Sequence, residues 1–299
     1  MMLPNFFIIG APKCGTTSLA TWLAEHPNIY MAPLKEPFFF SEDINYRWVK
    51  SWKMYKRLFK DVTQNHKAVG EASPFYLFSR IAIPKIEMNI KNAKYIVMIR
   101  NPIEMAYSWY EQNYRVFIEN VDNFRKAWEL APIRRTGKQI PRGCKDPILL
   151  DYPSWCLLGE QLERLYNIVP RDRILVLVLD DIKNNPRKEY LRVLEFLELP
   201  DDGRKIFPVY NYSRMWRSRW LGEVVTKAFE LGVRLRYEFG LLPPKRLGIG
   251  ESVDKVTSIV WKRPQLDHEF HKELIDFFKD DIHKLESILK RNFSEWYTF

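Results

Sequence analysis

Through the first two thirds of the chain, apolar residues come in short unbroken runs, each followed by a stretch where they recur every three or four positions. Residues 6–10, Phe-Phe-Ile-Ile-Gly, form the first run, and its glycine ending is the pattern of a buried parallel strand. Leu19, Trp22 and Leu23 follow at i, i+3 and i+4, predicting a helix that stops near His26-Pro27. Lys67-Ala-Val-Gly70, Tyr95-Ile-Val-Met-Ile99 and Ile174-Leu-Val-Leu-Val-Leu179 repeat the strand pattern. Helical spacing between and after them predicts helices over 80–91, 102–120, 154–168 and 186–197, the last opening on Pro186, which a first helical turn tolerates. Strands separated by helices imply right-handed βαβ crossovers, hence an α/β fold with a central parallel sheet flanked by helices.

The alternation stops over 204–265, a basic, aromatic-rich insertion or lid containing Pro243-Pro244. Leu266, Phe270, Leu274, Ile282, Leu285 and Leu289 then predict a closing amphipathic helix over 266–290. One domain spanning 1–299 is the expectation at this length. Two segments add aromatic stripes among basic residues: Trp48, Trp52, Tyr55 and Phe59, and Trp216, Trp220, Val224, Phe229 and Leu235. A basic amphipathic helix can lie on an anionic membrane or grip an acidic glycan, but more commonly it turns its stripe to the core.

Composition narrows the class. Hydrophobic residues are 46% and charged residues 28%, which excludes wholesale disorder and a fibrous chain. The net charge of +10 favours anionic partners, and it is concentrated over 204–246, where ten basic residues face three glutamates. Cys14, Cys144 and Cys156 lack CxxC or Cys/His spacing, so neither a disulfide scaffold nor a zinc site is expected, and no metal is assigned. The first strand begins near Asn5 and no apolar run approaches the ~18 residues of a membrane span, so the expectation is a cytoplasmic protein without a transmembrane segment.

The chemistry concentrates in Gly10-Ala-Pro-Lys13-Cys14-Gly15-Thr16-Thr17-Ser18. A glycine-bounded turn between a buried strand and a helix start presents unpaired N–H groups and the positive end of the helix dipole, which makes an anion site. In triphosphate loops the lysine follows the second glycine, and here Thr16 stands in that place while Lys13 sits at mid-loop. The displaced lysine suits a shorter anionic arm.

Pro12-Lys13-Cys14-Gly15-Thr16-Thr17-Ser18-Leu19 resembles the 5′-phosphosulfate loop of the sulfotransferases that use 3′-phosphoadenosine 5′-phosphosulfate (PAPS), a family of P-loop nucleotide-binding fold. Ile96-Val-Met-Ile-Arg100-Asn-Pro102 with Ser108 resembles the family's 3′-phosphate site. Lys35-Glu36-Pro37-Phe38-Phe39-Phe40 and Gly70-Glu71-Ala72-Ser73-Pro74-Phe75-Tyr76-Leu77 resemble segments of its heparan-type and bacterial branches. The likeness is firmest over 5–112 and 155–200.

The resemblance implies in-line sulfuryl transfer to an acceptor hydroxyl, less readily an amine, of a glycan, lipid or small molecule. Adenosine 3′,5′-bisphosphate would leave, and no metal takes part. It implies Lys13 on the leaving phosphate, Cys14, Gly15, Thr16, Thr17 and Ser18 around the 5′-phosphate, and Arg100 and Ser108 on the 3′-phosphate. It further implies Lys262 or Arg263 as a third cofactor contact, Glu71 as general base and Lys35 as added positive charge, or else Lys35-Glu36 as a simple loop ion pair. The side chain of Cys14 has no assigned role. Asp180-Asp181 is expected to cap a helix rather than hold a metal. Two other classes make different demands: a P-loop kinase or triphosphatase needs ATP with magnesium, and a basic nucleic-acid-binding protein needs binding that weakens steeply with salt. Neither nucleic acid nor a membrane-spanning contact is among the expected partners, whereas a peripheral membrane contact is compatible with the basic stripes.

Overall fold

The apolar runs form the strands expected of them, and three further short strands occur among the described residues. In this computed structural model, which describes residues 2–210, 214–238, 258–260 and 263–297, the elements begin β1 (Phe6–Gly10), α1 (Thr16–Ala24), β2 (Ile29–Met31), α2 (Trp52–Arg57), β3 (Ala68–Ala72), α3 (Ala82–Asn89) and β4 (Lys94–Ile99). They continue with α4 (Pro102–Arg115), α5 (Phe124–Glu129), α6 (Ala131–Arg135), α7 (Tyr152–Trp155), α8 (Leu158–Tyr166), β5 (Ile174–Val178), α9 (Leu179–Asn184) and α10 (Pro186–Phe196). The chain closes with β6 (Arg214–Trp216), α11 (Arg219–Glu238), β7 (Ser258–Val260) and α12 (His268–Leu289). They fall into two units, one formed by residues 1–100 with 161–211 and the other by 101–160 with 212–299.

The first unit holds a five-stranded sheet in the order β2-β3-β1-β4-β5, with every adjacent pair parallel. β1 is central, and Phe6 lies opposite Gly70 on β3 and Lys94 on β4. A Cβ on Gly70 would fall 2.1 Å from the Phe6 ring, so glycine there lets the two strands carry that ring between them. Strand β3 runs two residues past the predicted end, which brings Glu71 into the sheet opposite Phe7. The carboxyl ends of β1, β3 and β4 thus meet at one edge of the sheet, where ligands of parallel sheets collect. β2, three residues long, is too short to show a period.

The basic stripe at 44–59 turns inward. Its only helix is α2, capped by the Ser51 hydroxyl, which accepts from Met54 N at 3.3 Å. Tyr55 and Phe59 are buried, with Tyr55 stacked on Phe39 at 4.5 Å and Trp52 edge-on to the same ring at 4.9 Å. Asp180 and Asp181 occupy the first turn of α9 and provide no side-chain cap; Asp180 instead bonds Lys183 at 2.7 Å. The helix starts at Leu179, one residue before the pair, so the two acids meet the dipole from inside the helix.

In the second unit, fully buried Glu119 receives both terminal nitrogens of Arg134, at 2.5 and 2.8 Å, and the Tyr152 hydroxyl at 2.8 Å. The N–H groups of Asn120 and Val121 complete its partners, which offsets the desolvation of a buried ion pair. The segment 204–265 carries more regular structure than the sequence predicts: β6 and β7 pair antiparallel, and α11 runs for twenty residues. The closing helix α12 matches its expected span to within two residues, with Asp267 accepting from Phe270 N at 2.8 Å as its cap.

Asp281 on α12 caps another helix. Its carboxylate accepts from Gly159 N at 2.8 Å and Glu160 N at 2.9 Å at the start of α8. Burial outweighs those two bonds and pushes its pKa up to about 6. A folded-state value above the unfolded one makes the protonated form the favoured partner of the fold, so this contribution is fullest below the unfolded pKa and is lost as pH rises through about 6. Asp281→Asn, which cannot ionise but keeps only one of the two accepting oxygens, is expected to melt below the wild type at pH 4, by a margin that narrows towards pH 7.5. Asp281→Ala, which loses the cap, is expected to cost about 1 kcal/mol. Thermal unfolding across that pH range checks both.

Candidate active site

The loop joining β1 to α1 is shaped by two backbone positions in the left-handed region, Lys13 (φ 64°) and Gly15 (φ 91°). Gly15 also needs to be small, because a Cβ would sit 3.0 Å from Leu179 and 3.3 Å from Met98. The loop is fastened at both sides: Ala11 N donates to Met98 O at 2.7 Å, and Arg100 Nη1 donates to the Lys13 carbonyl at 3.0 Å. The strand-end arginine therefore holds the loop that carries the lysine.

Helix α1 begins at Thr16 with Gly15 at its cap position, and no side chain caps it. Its first N–H groups lack intrahelical acceptors by geometry, and no acidic side chain in the first turn opposes an anion there. Thr16 and Ser18 are buried against the loop, and Ser18 Oγ accepts from Tyr210 N at 3.1 Å, which fixes the oxygen and leaves the hydroxyl proton to donate elsewhere. The Thr17 carbonyl accepts from the Thr21 hydroxyl at 2.8 Å. Cys14 is fully buried, its thiol donates to Pro12 O at 3.4 Å, and burial pushes its pKa up to about 12. Its side chain packs beneath the loop and is not a nucleophile at neutral pH.

Glu71 is fully buried. Ser73 Oγ donates to its Oε1 at 2.6 Å, Tyr55 donates to its Oε2, and the Tyr76 hydroxyl adds to the same carboxylate. Burial raises its pKa and the three hydroxyls oppose that rise. The same hydroxyls hold the Lys35–Phe40 segment in place, because Phe38 N donates to Ser73 Oγ and Phe40 N to Tyr76 OH, each at 3.2 Å. Glu36 N donates to Ala72 O at 2.9 Å, and Lys35 pairs with the adjacent Glu36.

The sequence misses Tyr55, Ser73 and Tyr76 as partners of Glu71. Ser73 and Tyr76 stand two and five residues beyond it and were available to a local reading, whereas Tyr55 comes from a helix sixteen residues upstream.

The remaining expected contacts lie in the second unit. Ser108 is on α4, whose start is capped by Asn101 Oδ1, accepting from Ile103 N at 2.9 Å. Arg263 makes a two-pronged ion pair with Glu111, at 2.7 and 3.1 Å, and lies over the Tyr107 ring at 4.6 Å. Lys262 lies outside the described residues. Among the described residues, no three His, Cys, Asp or Glu side chains are grouped as metal ligands, and no helix is long and apolar enough to cross a membrane.

A lysine-bearing loop, a strand-end arginine and a buried carboxylate thus gather at the carboxyl ends of three neighbouring parallel strands. The sequence profile of the sulfotransferase domain matches residues 3–215, and the chain belongs to the PAPS-dependent sulfotransferase family. A sulfotransferase from Alicyclobacillus acidocaldarius superposes over the whole of both chains, with a TM-score of 0.71 and 25% identity. The bifunctional heparan sulfate N-deacetylase/N-sulfotransferase 2 of Bos taurus is 26% identical over 97% of this chain and 30% of its own length. The membrane-associated sulfotransferase kil1 of Dictyostelium discoideum is 37% identical over 37% of this chain and 23% of its own. The chain thus spans between 23% and 30% of the length of these two curated relatives.

Proposed function

We propose that this chain moves a sulfuryl group from PAPS to an acceptor hydroxyl of a glycan, lipid or small molecule. The observation that carries the proposal is the β1–α1 loop, in which Lys13 stands at mid-loop, Arg100 holds its carbonyl and an uncapped helix start follows. The donor set fits the cofactor, since N–H groups, hydroxyls, a lysine and an arginine match two separate phosphate groups and no acidic side chain stands in the first turn of α1. When bound, PAPS supplies an activated sulfuryl group on a phosphate leaving group. Lys13 neutralises charge on that phosphate, the start of α1 with Thr16, Thr17 and Ser18 holds it, and Arg100 takes the 3′-phosphate. Ser108 on α4 is a contact that the family resemblance implies, and Arg263 is paired with Glu111.

Glu71 takes the acceptor's proton. Burial makes its carboxylate a stronger base, and the Ser73, Tyr55 and Tyr76 hydroxyls orient it. Because the carboxylate is fully buried, this role requires the 35–40 segment to give way when acceptor binds. The similarity to heparan sulfate N-deacetylase/N-sulfotransferase 2 along 97% of the chain supports a second reading, with an amine as acceptor.

The test is a melting comparison of the full chain with adenosine 3′,5′-bisphosphate and with ATP-magnesium. At ~100 times its dissociation constant the bisphosphate is expected to stabilise by about 2.7 kcal/mol without added metal. A larger shift with ATP-magnesium would replace this reading with a kinase or triphosphatase.

A further inference from the structure

The second basic stripe behaves differently from the first. Helix α11 lies directly on β6, because a Cβ on Gly222 would fall 2.4 Å from the Trp216 ring. Trp216 in turn donates its indole N–H to Arg115 O at 2.8 Å, and Arg219 lies over the rings of Tyr114 at 4.9 Å and Phe117 at 5.6 Å. The base of the helix is thereby anchored to the end of α4, and its inward face is the Gly222 side. Trp220, Val224 and Leu231, spaced i, i+4 and i+11, share the other face, and they are 72%, 47% and 57% exposed.

The surroundings of that apolar stripe are cationic. Arg217, Arg219 and Lys227 are exposed, and Lys227 is braced at i+4 by Glu223 at 2.8 Å. The stretch 204–246 carries ten basic residues against three acidic ones. A helix with tryptophan and aliphatic side chains facing water and basic groups beside them has the build of an interfacial helix, with the indole at headgroup depth and the cations against anionic headgroups. An acidic glycan would engage the cations but gives Val224 and Leu231 nothing to bury against. A second copy of the chain would bring two basic faces together.

We propose that α11 docks this protein on an anionic lipid surface, with Trp220, Val224 and Leu231 inserted and Arg217 and Lys227 against the headgroups. This is independent of the transfer reaction. The test is co-sedimentation of the full chain with phosphatidylcholine vesicles, with and without phosphatidylserine, at low and high salt. Binding is expected to the phosphatidylserine vesicles and to weaken with salt. Trp220→Ala with Leu231→Ala is expected to reduce it by about tenfold or more, with an unchanged melting temperature because both side chains are exposed. Arg217→Gln with Lys227→Gln is expected to reduce it by about tenfold or more at low salt. The proposal is overturned if the apolar double variant binds as the wild type does, since adhesion is then purely electrostatic, as for an acidic glycan. It is equally overturned if vesicles are not bound, or if light scattering shows a dimer that Trp220→Ala dissociates.

Discussion

Lys13→Ala is expected to leave a folded protein whose sulfuryl transfer from PAPS is lower by about two to three orders of magnitude. The substitution removes the only cation that the loop itself contributes, which the proposed function sets against the charge developing on the leaving phosphate. The stabilisation by adenosine 3′,5′-bisphosphate is expected to shrink as well, because the proposed function puts Lys13 on the bound phosphate in both states. Backbone geometry supplies a control. Lys13 lies at φ 64°, a region costing a residue with a Cβ about 1–2 kcal/mol, so Lys13→Gly is expected to melt higher than Lys13→Ala while being equally inactive. Turnover with PAPS and melting with and without bisphosphate measure both effects. Full activity in either variant removes Lys13 from the transfer step.

The second large effect is expected at Glu71. Glu71→Gln keeps the volume and one acceptor oxygen, so cofactor binding is expected to be retained while turnover falls by about two to four orders of magnitude. The pH dependence carries further information. Burial raises the Glu71 pKa, so protonation favours the folded state: its contribution is full below the unfolded carboxylate value and is lost as pH rises through the folded one. The acid limb of the rate profile is accordingly expected above the ordinary carboxylate range. Tyr55→Phe, which deletes one of the hydroxyls holding that pKa down, is expected to move the limb higher still. A profile unchanged in Tyr55→Phe would mean that the base is another group, and unchanged turnover in Glu71→Gln would mean the same directly.

How much of this was legible beforehand depends on the range of the interactions. The order of strands and helices, the glycine-bounded loop and the position of Lys13 within it follow from neighbours a few residues apart, and the structure places them where the periods predict. The short strand β2 was not legible because three residues carry no period. Asp180 and Asp181 lie two and three residues past the cap position, Val178, and so fall in the first turn.

Other features depend on distant partners. Glu71 was marked as a base by its surrounding motif, yet its environment is made by Tyr55, Ser73 and Tyr76, and Tyr55 enters from another helix. Arg263 was assigned to a phosphate, and in the folded chain it meets Glu111, 152 residues away, a pairing no local pattern announces.

The two aromatic, basic stripes draw the line most clearly. By itself the sequence determined that this chain folds around a parallel sheet with an anion-binding loop at the end of its first strand, because alternation, helical spacing and glycine backbone freedom are local properties. It also determined that both stripes exist. Only the tertiary structure decided that the stripe at 44–59 is covered by Phe39 and Phe40 while Trp220, Val224 and Leu231 face water. Periodicity records which side of a helix is apolar, whereas burial depends on what the rest of the chain brings against it.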